Sequence, residues 1–75
     1  MSTRRYAVRS VADIGRTIAE ARRERGLTQE QLASQLGIHR TYLARLENGQ
    51  SSLQLERILQ LLRKLGVTVE ATLSS

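Results

Sequence analysis

The sequence predicts one mostly helical domain, in which four short helices are followed by a single β-strand. Three observations predict this fold. Apolar residues recur at helical spacing through most of the chain. Proline is absent, and each helical pattern is followed by a glycine (Gly26, Gly37, Gly49 or Gly66). Many helices end at a residue with a left-handed backbone conformation, which favours a residue without Cβ. After Gly66, apolar and polar residues alternate, as they do in a strand with one buried face.

The first two helices have recognisable N-terminal caps. We expect the first helix from Val11 to Arg25, with Ser10 as its cap, because an acidic residue follows Ser10 by three positions. The second helix is expected from Gln29 to Leu36, with Thr28 as its cap.

The third and fourth helices differ in how much apolar surface they carry. The third is predicted from Arg40 to Asn48, and the fourth from Leu53 to Leu65, with Ser52 as its cap. The apolar arc of the fourth helix spans roughly 160°, which is wider than one core-facing stripe needs. Part of that arc is therefore predicted to contact a second copy of the chain.

The terminal strand needs a partner. An isolated strand is not stable in water, so the sequence predicts that residues 67–75 pair with the same strand of a second subunit. The alternating segment Arg5–Val8 is a second candidate partner, and a frayed tail is a third interpretation.

Length and composition limit the possible functions. A chain of 75 residues forms one domain that buries only about 60% of its unfolded surface, so it needs a further source of stability. With no cysteine, disulfides and thiolate metal sites are excluded, and one histidine cannot form a zinc site by itself. No metal or cofactor is expected, which again favours a homodimer. No apolar run approaches the ~18 residues of a membrane span, and no signal peptide is recognisable. We therefore expect a soluble cytoplasmic protein that has no membrane partner.

The charge is distributed unevenly. Residues 1–50 carry nine basic and five acidic side chains, and residues 51–75 carry three and two. This basic excess favours a polyanionic partner, either nucleic acid or an anionic surface. Charge alone fits an ordinary basic protein equally well.

Residues 29–48, QEQLASQLGIHRTYLARLEN, have the spacing of a helix-turn-helix. Ala33 is small where two helices cross, and Gly37 lies at the turn. The predicted buried faces consist of Leu32, Leu36, Ile38, Leu43 and Leu46. The start of the second helix is then exposed and can enter the major groove.

The stretch from Ile14 to Val67 resembles the Cro/C1-type (XRE) helix-turn-helix regulators, which have the lambda-repressor-like fold. The resemblance is carried by GLTQEQLASQLGI, LENG and LRKLGV. It implies an N-terminal arm (1–9), a helix-turn-helix DNA-binding domain (10–66) and a C-terminal dimerisation strand (67–75). The order of four helices and a terminal strand is also similar to HipB-type antitoxins, which bind operator DNA and a HipA-type kinase toxin.

The resemblance implies roles for individual residues. Arg40, Thr41 and Arg45 match base-reading positions, and Tyr42 matches a base or backbone contact. Phosphate contacts are implied for Gln29, His39, Asn48, Gln50 and Ser51. Arg22 and Glu47 match an ion pair that orients the recognition helix. The dimer interface is predicted to contain Leu61, Leu65, Val67, Val69, Ala71 and Leu73.

Three functions remain open from the sequence. The first is a dimeric repressor of a palindromic operator that serves as the antitoxin of a HipA-type kinase. The second is a stand-alone phage-like or metabolic regulator without a toxin. The third is a protein-interaction module that no longer binds DNA. The sequence contains no nucleophile and base at a catalytic spacing and no glycine-rich phosphate loop, so we do not expect an enzyme.

Overall fold

The computed structural model describes residues 3–50 and 53–74. Its elements follow in the order β1 (Thr3–Val8), α1 (Val11–Glu24), α2 (Gln29–Leu36), α3 (Arg40–Glu47), α4 (Leu53–Lys64) and β2 (Val69–Ser74). The four predicted helices are confirmed, each within one residue of its expected bounds. The predicted cap Ser52 lies outside the described residues.

The first two helices begin with capping boxes, as their sequences predict. The Ser10 hydroxyl accepts the N–H of Asp13 at 3.2 Å, and the Asp13 carboxylate accepts the N–H of Ser10 at 3.2 Å. Thr28 and Gln31 form the same reciprocal pair at the start of α2, at 3.0 and 2.9 Å. These bonds fix where each helix starts, and α2 in turn carries the first half of the helix-turn-helix.

The turn between α2 and α3 depends on a left-handed glycine. Gly37 has φ 68° and ψ 29°, a conformation that costs other residues free energy, and its N–H donates to the carbonyls of Ala33 and Ser34. The two helices pack against each other, and Ala33 and Leu43 are each only 2% exposed. Leu36 was expected in this buried face but is 61% exposed. Leu36 is the last residue of α2, three positions after the buried Ala33 and directly before the C-cap Gly37.

The two strands pair with each other within one chain. β1 and β2 are antiparallel, with the register running from Thr3 opposite Ser74 to Val8 opposite Val69. Within the protomer, the terminal strand therefore pairs with the N-terminal segment that was the second candidate partner. Its pairing with the same strand of a second subunit stays a prediction. Residues 3–8 are accordingly part of the folded domain and not a free arm.

The apolar face of β2 packs on the protomer's own core. Val8, Val11 and Leu59 form a buried cluster from β1, α1 and α4, and Val69 and Ala71 pack against it. Leu73 is buried as well, at 8% exposed. Val69, Ala71 and Leu73 therefore pack within the protomer, and their contact with a second subunit stays a prediction.

Polar contacts hold β1 along α1. The Tyr6 hydroxyl donates to the Glu20 carboxylate at 2.5 Å, and this bond raises the pKa of Tyr6. Arg4 forms an ion pair with Glu24, one turn further along α1. At the other end of the strand, the N–H of Arg9 donates to Asp13 at 2.8 Å. The strand thus runs antiparallel to α1, and the sheet is attached to the helix at both ends and in the middle.

Within residues 3–50 and 53–74, no helix is long and apolar enough to cross a lipid bilayer.

Candidate nucleic-acid interface

The first turn of α3 projects from the domain. Leu43 is buried on the inner side of this helix, whereas Arg40, Thr41, Tyr42 and Arg45 are exposed. Tyr42 is 59% exposed, so more than half of this residue is accessible to a partner. The residues that match base-reading positions therefore lie on the exposed side of α3. The buried side of this helix, at Leu43, packs against the rest of the domain.

The N-terminus of α3 has no side-chain cap. His39 occupies the N-cap position with extended backbone dihedrals, but its imidazole makes no capping hydrogen bond. The first helical bond runs from the N–H of Leu43 to the carbonyl of His39, at 3.2 Å. The N–H groups of the preceding turn have no acceptor within the helix, and they form the positive end of the helix dipole. This end of α3 therefore favours an anion.

An ion pair links α1 to the end of α3. The Arg22 guanidinium donates from Nε to Glu47 Oε2 at 2.8 Å and from Nη2 to Glu47 Oε1 at 3.0 Å. Its Nη1 donates to the carbonyl of Leu27 at 2.8 Å, in the loop before α2. The two charged side chains are only 10% and 4% exposed. One arginine therefore fixes the α1–α2 loop and the C-terminal end of the recognition helix together.

The Glu47 carboxylate stays charged although it is largely buried. Burial raises the pKa of Glu47, but the hydrogen bonds from Arg22 and Gln29 and the positive charges of Arg22 and Arg23 lower it by more. The pKa of Glu47 therefore lies below its ordinary value. The bond to Glu47 likewise raises the pKa of Arg22. The pair is fully ionised at neutral pH.

Gln29, for which the resemblance implies a phosphate contact, forms two hydrogen bonds within the protein. Its Nε2 donates to Glu47 Oε1 at 2.9 Å, and its Oε1 accepts from Arg40 Nη1 at 3.4 Å. The Gln29 side chain thus forms hydrogen bonds within the protein and connects the ion pair to Arg40, which matches a base-reading position. No local sequence pattern predicts the Gln29–Glu47 bond, because the two residues are 18 positions apart.

The other expected phosphate contacts lie at the C-terminal end of α3 and just beyond it. Asn48 is the exposed C-cap of α3, and its N–H donates to the carbonyl of Ala44 at 3.1 Å. Gln50 is exposed, and its N–H donates to the carbonyl of Arg45 at 2.9 Å. Ser51 lies outside the described residues.

One residue that positions α3 was missed in the sequence. Gly15 lies in the middle of α1, and a Cβ built on it would come within 2.0 Å of the carbonyl oxygen of Leu46. The available signal was a glycine inside a helical pattern that continues past it, which indicates either close packing or a weak helix.

The exposed apolar residues of α4 form a further surface. Leu61 and Leu65, two of the predicted dimer residues, are 61% and 73% exposed, and Val67 after the helix is 46% exposed. Two more exposed residues of the same helix are Leu53 and Ile58. We call Leu53, Ile58, Leu61 and Leu65 the α4 stripe.

Among the described residues, no three His, Cys, Asp or Glu side chains come together as a metal site would require.

Comparisons with known proteins agree with this geometry. Residues 18–71 match the sequence profile of a family described as helix-turn-helix. The chain is 32% identical over 63 residues to an uncharacterized HTH-type transcriptional regulator, y4mF, of Sinorhizobium fredii, with 84% of this chain and 83% of the relative covered. It is 36% identical over 55 residues to a second such regulator of that organism, y4dJ, with coverages of 73% and 71%.

A Haemophilus influenzae protein that is also named an uncharacterized HTH-type transcriptional regulator is 41% identical over 49 residues, which span 65% of this chain and 50% of that protein. No solved structure matches the chain significantly. The profile match covers most of the chain and includes both helices of the exposed motif. The chain therefore belongs to the XRE-type helix-turn-helix family of transcriptional regulators.

Proposed function

We propose that this regulator is a dimeric, sequence-specific repressor that inserts the first turn of α3 into the major groove of a palindromic operator. The observation that carries the proposal is the exposure of Arg40, Thr41 and Arg45 on a helix whose Leu43 is buried. Second helices of helix-turn-helix proteins read base edges from this arrangement. Arginine can donate two hydrogen bonds to guanine O6 and N7, and threonine can contact a thymine methyl group.

Phosphate contacts would fix the register of α3 on the duplex. In this proposal the phosphate contacts come from His39, Asn48, Gln50 and Ser51. Tyr42 adds a contact if its side chain reaches the DNA backbone and not a base. The N–H groups in the first turns of α2 and α3 provide the remaining contacts. Helix N-termini bind phosphate because their N–H groups and dipole both favour an anion. Such contacts hold the protein in place without selecting a sequence.

A homodimer supplies the second recognition helix. Its two copies of α3 would lie about 34 Å apart and read half-sites one helical turn apart. The α4 stripe supports this part of the proposal, since its residues are apolar and exposed in the protomer. A second copy packed on this stripe would cover Leu61, Leu65 and Val67.

The test begins with duplexes that the wild-type protein selects from random DNA. Arg40→Ala is expected to raise the Kd for the selected site by about ten-fold, because one bidentate base contact is lost. Arg63→Ala is the charge-matched control, since Arg63 lies in α4 and donates to the carbonyl of Arg9, at the sheet. The wild-type affinity should also fall steeply with added salt as counterions are released. Equal effects of the two substitutions, or binding that is insensitive to salt, would contradict the proposal.

Within this class, we propose that the regulator is a HipB-like antitoxin that represses its own operon and binds a HipA-type kinase. The support is the order of four helices and a terminal strand, together with the sequence resemblance of the helix-turn-helix. A stand-alone phage-like or metabolic regulator is the alternative, and an interaction module without DNA binding is the third candidate. A kinase-like neighbouring reading frame whose product co-purifies with this chain is expected for the antitoxin. A neighbourhood without a kinase supports the stand-alone regulator.

A further inference from the structure

A cavity of about 490 Å³ lies between α4 and one end of the two-stranded sheet. Val8 and Val69, which are paired at this end of the sheet, line the cavity from the strands. Leu59 and Leu62 line it from α4. Val8 and Leu59 are buried, and Val69 and Leu62 are half-buried. The volume lies in the range of about 300–1,000 Å³ that is usual for small-molecule sites, and so does the mainly apolar lining.

The C-terminal end of α4 provides one wall of this cavity. Gly66 has a left-handed φ of 75°, and its N–H donates to the carbonyl of Arg63 at 3.1 Å. The N–H of Val67 donates to the carbonyl of Leu62 at 2.8 Å. These two bonds form a Schellman motif, which turns the chain back against the last turn of the helix. Val67 and Leu62 therefore both border the cavity, and backbone hydrogen bonds hold this wall in place.

Two arginines lie at the edge of the apolar lining. Arg63 of α4 reaches the segment between β1 and α1, where its Nη2 donates to the carbonyl of Arg9 at 3.1 Å. The backbone of Arg9 is also held by the bond from its N–H to Asp13, at 2.8 Å. Arg9 and Arg63 are both exposed and both line the cavity. A guanidinium has five N–H donors, so most donors of the two side chains remain available to an acceptor.

The charges around the cavity favour an anion. Glu70 is the one carboxylate in the lining, against the two guanidinium groups of Arg9 and Arg63. Within residues 3–50 and 53–74, none of these three side chains forms an ion pair. The positive charges at the edge are therefore not neutralised by a neighbouring group of the protomer.

The cavity is separate from the exposed face of α4 that is proposed to form the dimer. At 100° per residue, the direction of Leu59, Leu62 and Arg63 on this helix differs by roughly 120° from that of Ile58, Leu61 and Leu65. A second copy packed on the α4 stripe would therefore leave the edge of the cavity at Arg9 and Arg63 open.

We infer that this cavity is a binding site for a small aliphatic carboxylate. The tail contacts the apolar lining, and the carboxylate accepts hydrogen bonds from Arg9 and Arg63. A planar guanidinium matches the two oxygens of a carboxylate, and such charge-assisted bonds are stronger than those to a neutral hydroxyl group. The inference does not rest on the proposed function, because no residue of α2 or α3 lines the cavity.

The experiment is a titration of the isotope-labelled full chain with octanoate, followed by the amide signals in heteronuclear NMR spectra. Hexanoate tests the contribution of the tail. Octylammonium and octanol have the same tail with a positive charge or with none, and acetate has the charge without the tail. The variants are Arg9→Gln and Arg63→Gln. Arg57→Gln is the matched control, since Arg57 is exposed on α4 but does not line the cavity. Thermal melting followed by circular dichroism verifies that each variant is folded.

We expect saturable shifts of the amide signals of residues 7–9, 59–63 and 67–70 with octanoate. Hexanoate should bind about ten-fold more weakly, because each buried methylene group contributes about a factor of four. Arg9→Gln and Arg63→Gln should each raise the Kd for octanoate by about three- to five-fold, as is usual for exposed ion pairs. Arg57→Gln should match the wild type, and octylammonium, octanol and acetate should bind more weakly than octanoate.

Three results would overturn the inference. The first is a set of shifts that does not saturate or that extends over the whole chain, which would indicate unspecific contact with the tail. The second is equal binding of octanoate and octylammonium, or equal behaviour of all three arginine variants. The third is that the same amide signals respond to dilution of the protein and not to octanoate, in which case a second copy of the chain occupies the cavity.

Discussion

Gly15 of α1 lies against the backbone of Leu46 in α3, so closely that a Cβ on the glycine would come within 2.0 Å of the Leu46 carbonyl oxygen. The nearest atoms all belong to the backbone of α3, which cannot turn aside as a side chain can. The distance between α1 and the recognition helix is therefore set by the absence of a side chain at this position. Arg22 and Glu47 then join the same two helices further along.

Gly15→Ala should lower the free energy of unfolding. Alanine favours a helix over glycine by about 1 kcal/mol, but overpacking a tight contact costs about 1–3 kcal/mol, and here the obstacle is backbone. We expect the packing cost to exceed the gain in helix propensity, and α3 to shift enough to weaken DNA binding. Urea unfolding and DNA titration measure the two effects. Arg16→Ala, at an exposed neighbouring position with only a surface ion pair, should change the unfolding free energy by less than ~1 kcal/mol. A more stable Gly15→Ala protein would contradict this packing argument.

Stability should decrease in acid because of Glu47. The pKa of Glu47 is lower in the folded protein than its ordinary value, so the charged carboxylate stabilises the fold at pH values above the unfolded pKa. That contribution is lost as the pH falls through the folded pKa. Glu47→Gln should cost about 3 kcal/mol at pH 7, since the buried Arg22 charge loses its partner. The unfolding free energies of wild type and variant are then expected to converge at low pH.

Urea unfolding of both proteins from pH 7 to pH 3 measures this convergence. Glu30→Gln is a suitable control, because Glu30 is exposed in the first turn of α2, whereas the Glu47 carboxylate accepts its hydrogen bonds from Arg22 and Gln29. A constant difference between the wild type and Glu47→Gln across the pH range would show that another carboxylate controls acid unfolding.

Local signals predicted the helices, whereas the long-range contacts of the site were predictable only in part. Ser10 and Thr28 cap their helices through residues three positions away, so the sequence contains both members of each pair. The alternation after residue 66 predicted that one face of a strand is buried, but alternation does not identify the covering partner. In this chain β1 provides the pairing strand, and Val8 contributes to the core beneath it.

The candidate nucleic-acid interface was likewise predictable only where its contacts are local in sequence. Exposure of Arg40 and Thr41 follows from their place at the start of the second helix, which the motif spacing determines. The bond between Gln29 and Glu47 joins residues 18 positions apart on two helices, and only their packing angle brings them together. Family position alone implied a phosphate contact for Gln29.

Leu73→Ala tests whether β2 packs within its own protomer. Leu73 is 8% exposed, and truncation of a buried leucine typically costs about 2–5 kcal/mol. We expect a loss near the lower end of this range, because the residue lies at one end of a two-stranded sheet. Thr72→Ala is the control, as Thr72 is exposed on the opposite face. The loss should be the same at every protein concentration in urea unfolding. A loss that disappears when the protein is diluted to the monomer would indicate that Leu73 packs on a partner chain.

Leu61→Lys tests the proposed homodimer. Leu61 is 61% exposed in the protomer, so the substitution should have little effect on protomer folding, but it would place a charge in the centre of the α4 stripe. Burial of an unpaired charge in an apolar interface is strongly unfavourable. We therefore expect a monomer in analytical ultracentrifugation and a weaker, non-cooperative binding to the palindromic site, because the two half-sites are no longer read together. Gln60→Lys adds the same charge at an exposed polar position of α4 that lies off the face shared by Ile58, Leu61 and Leu65, and this variant should remain dimeric. A dimer that persists in Leu61→Lys would show that the main dimer contact lies outside the α4 stripe.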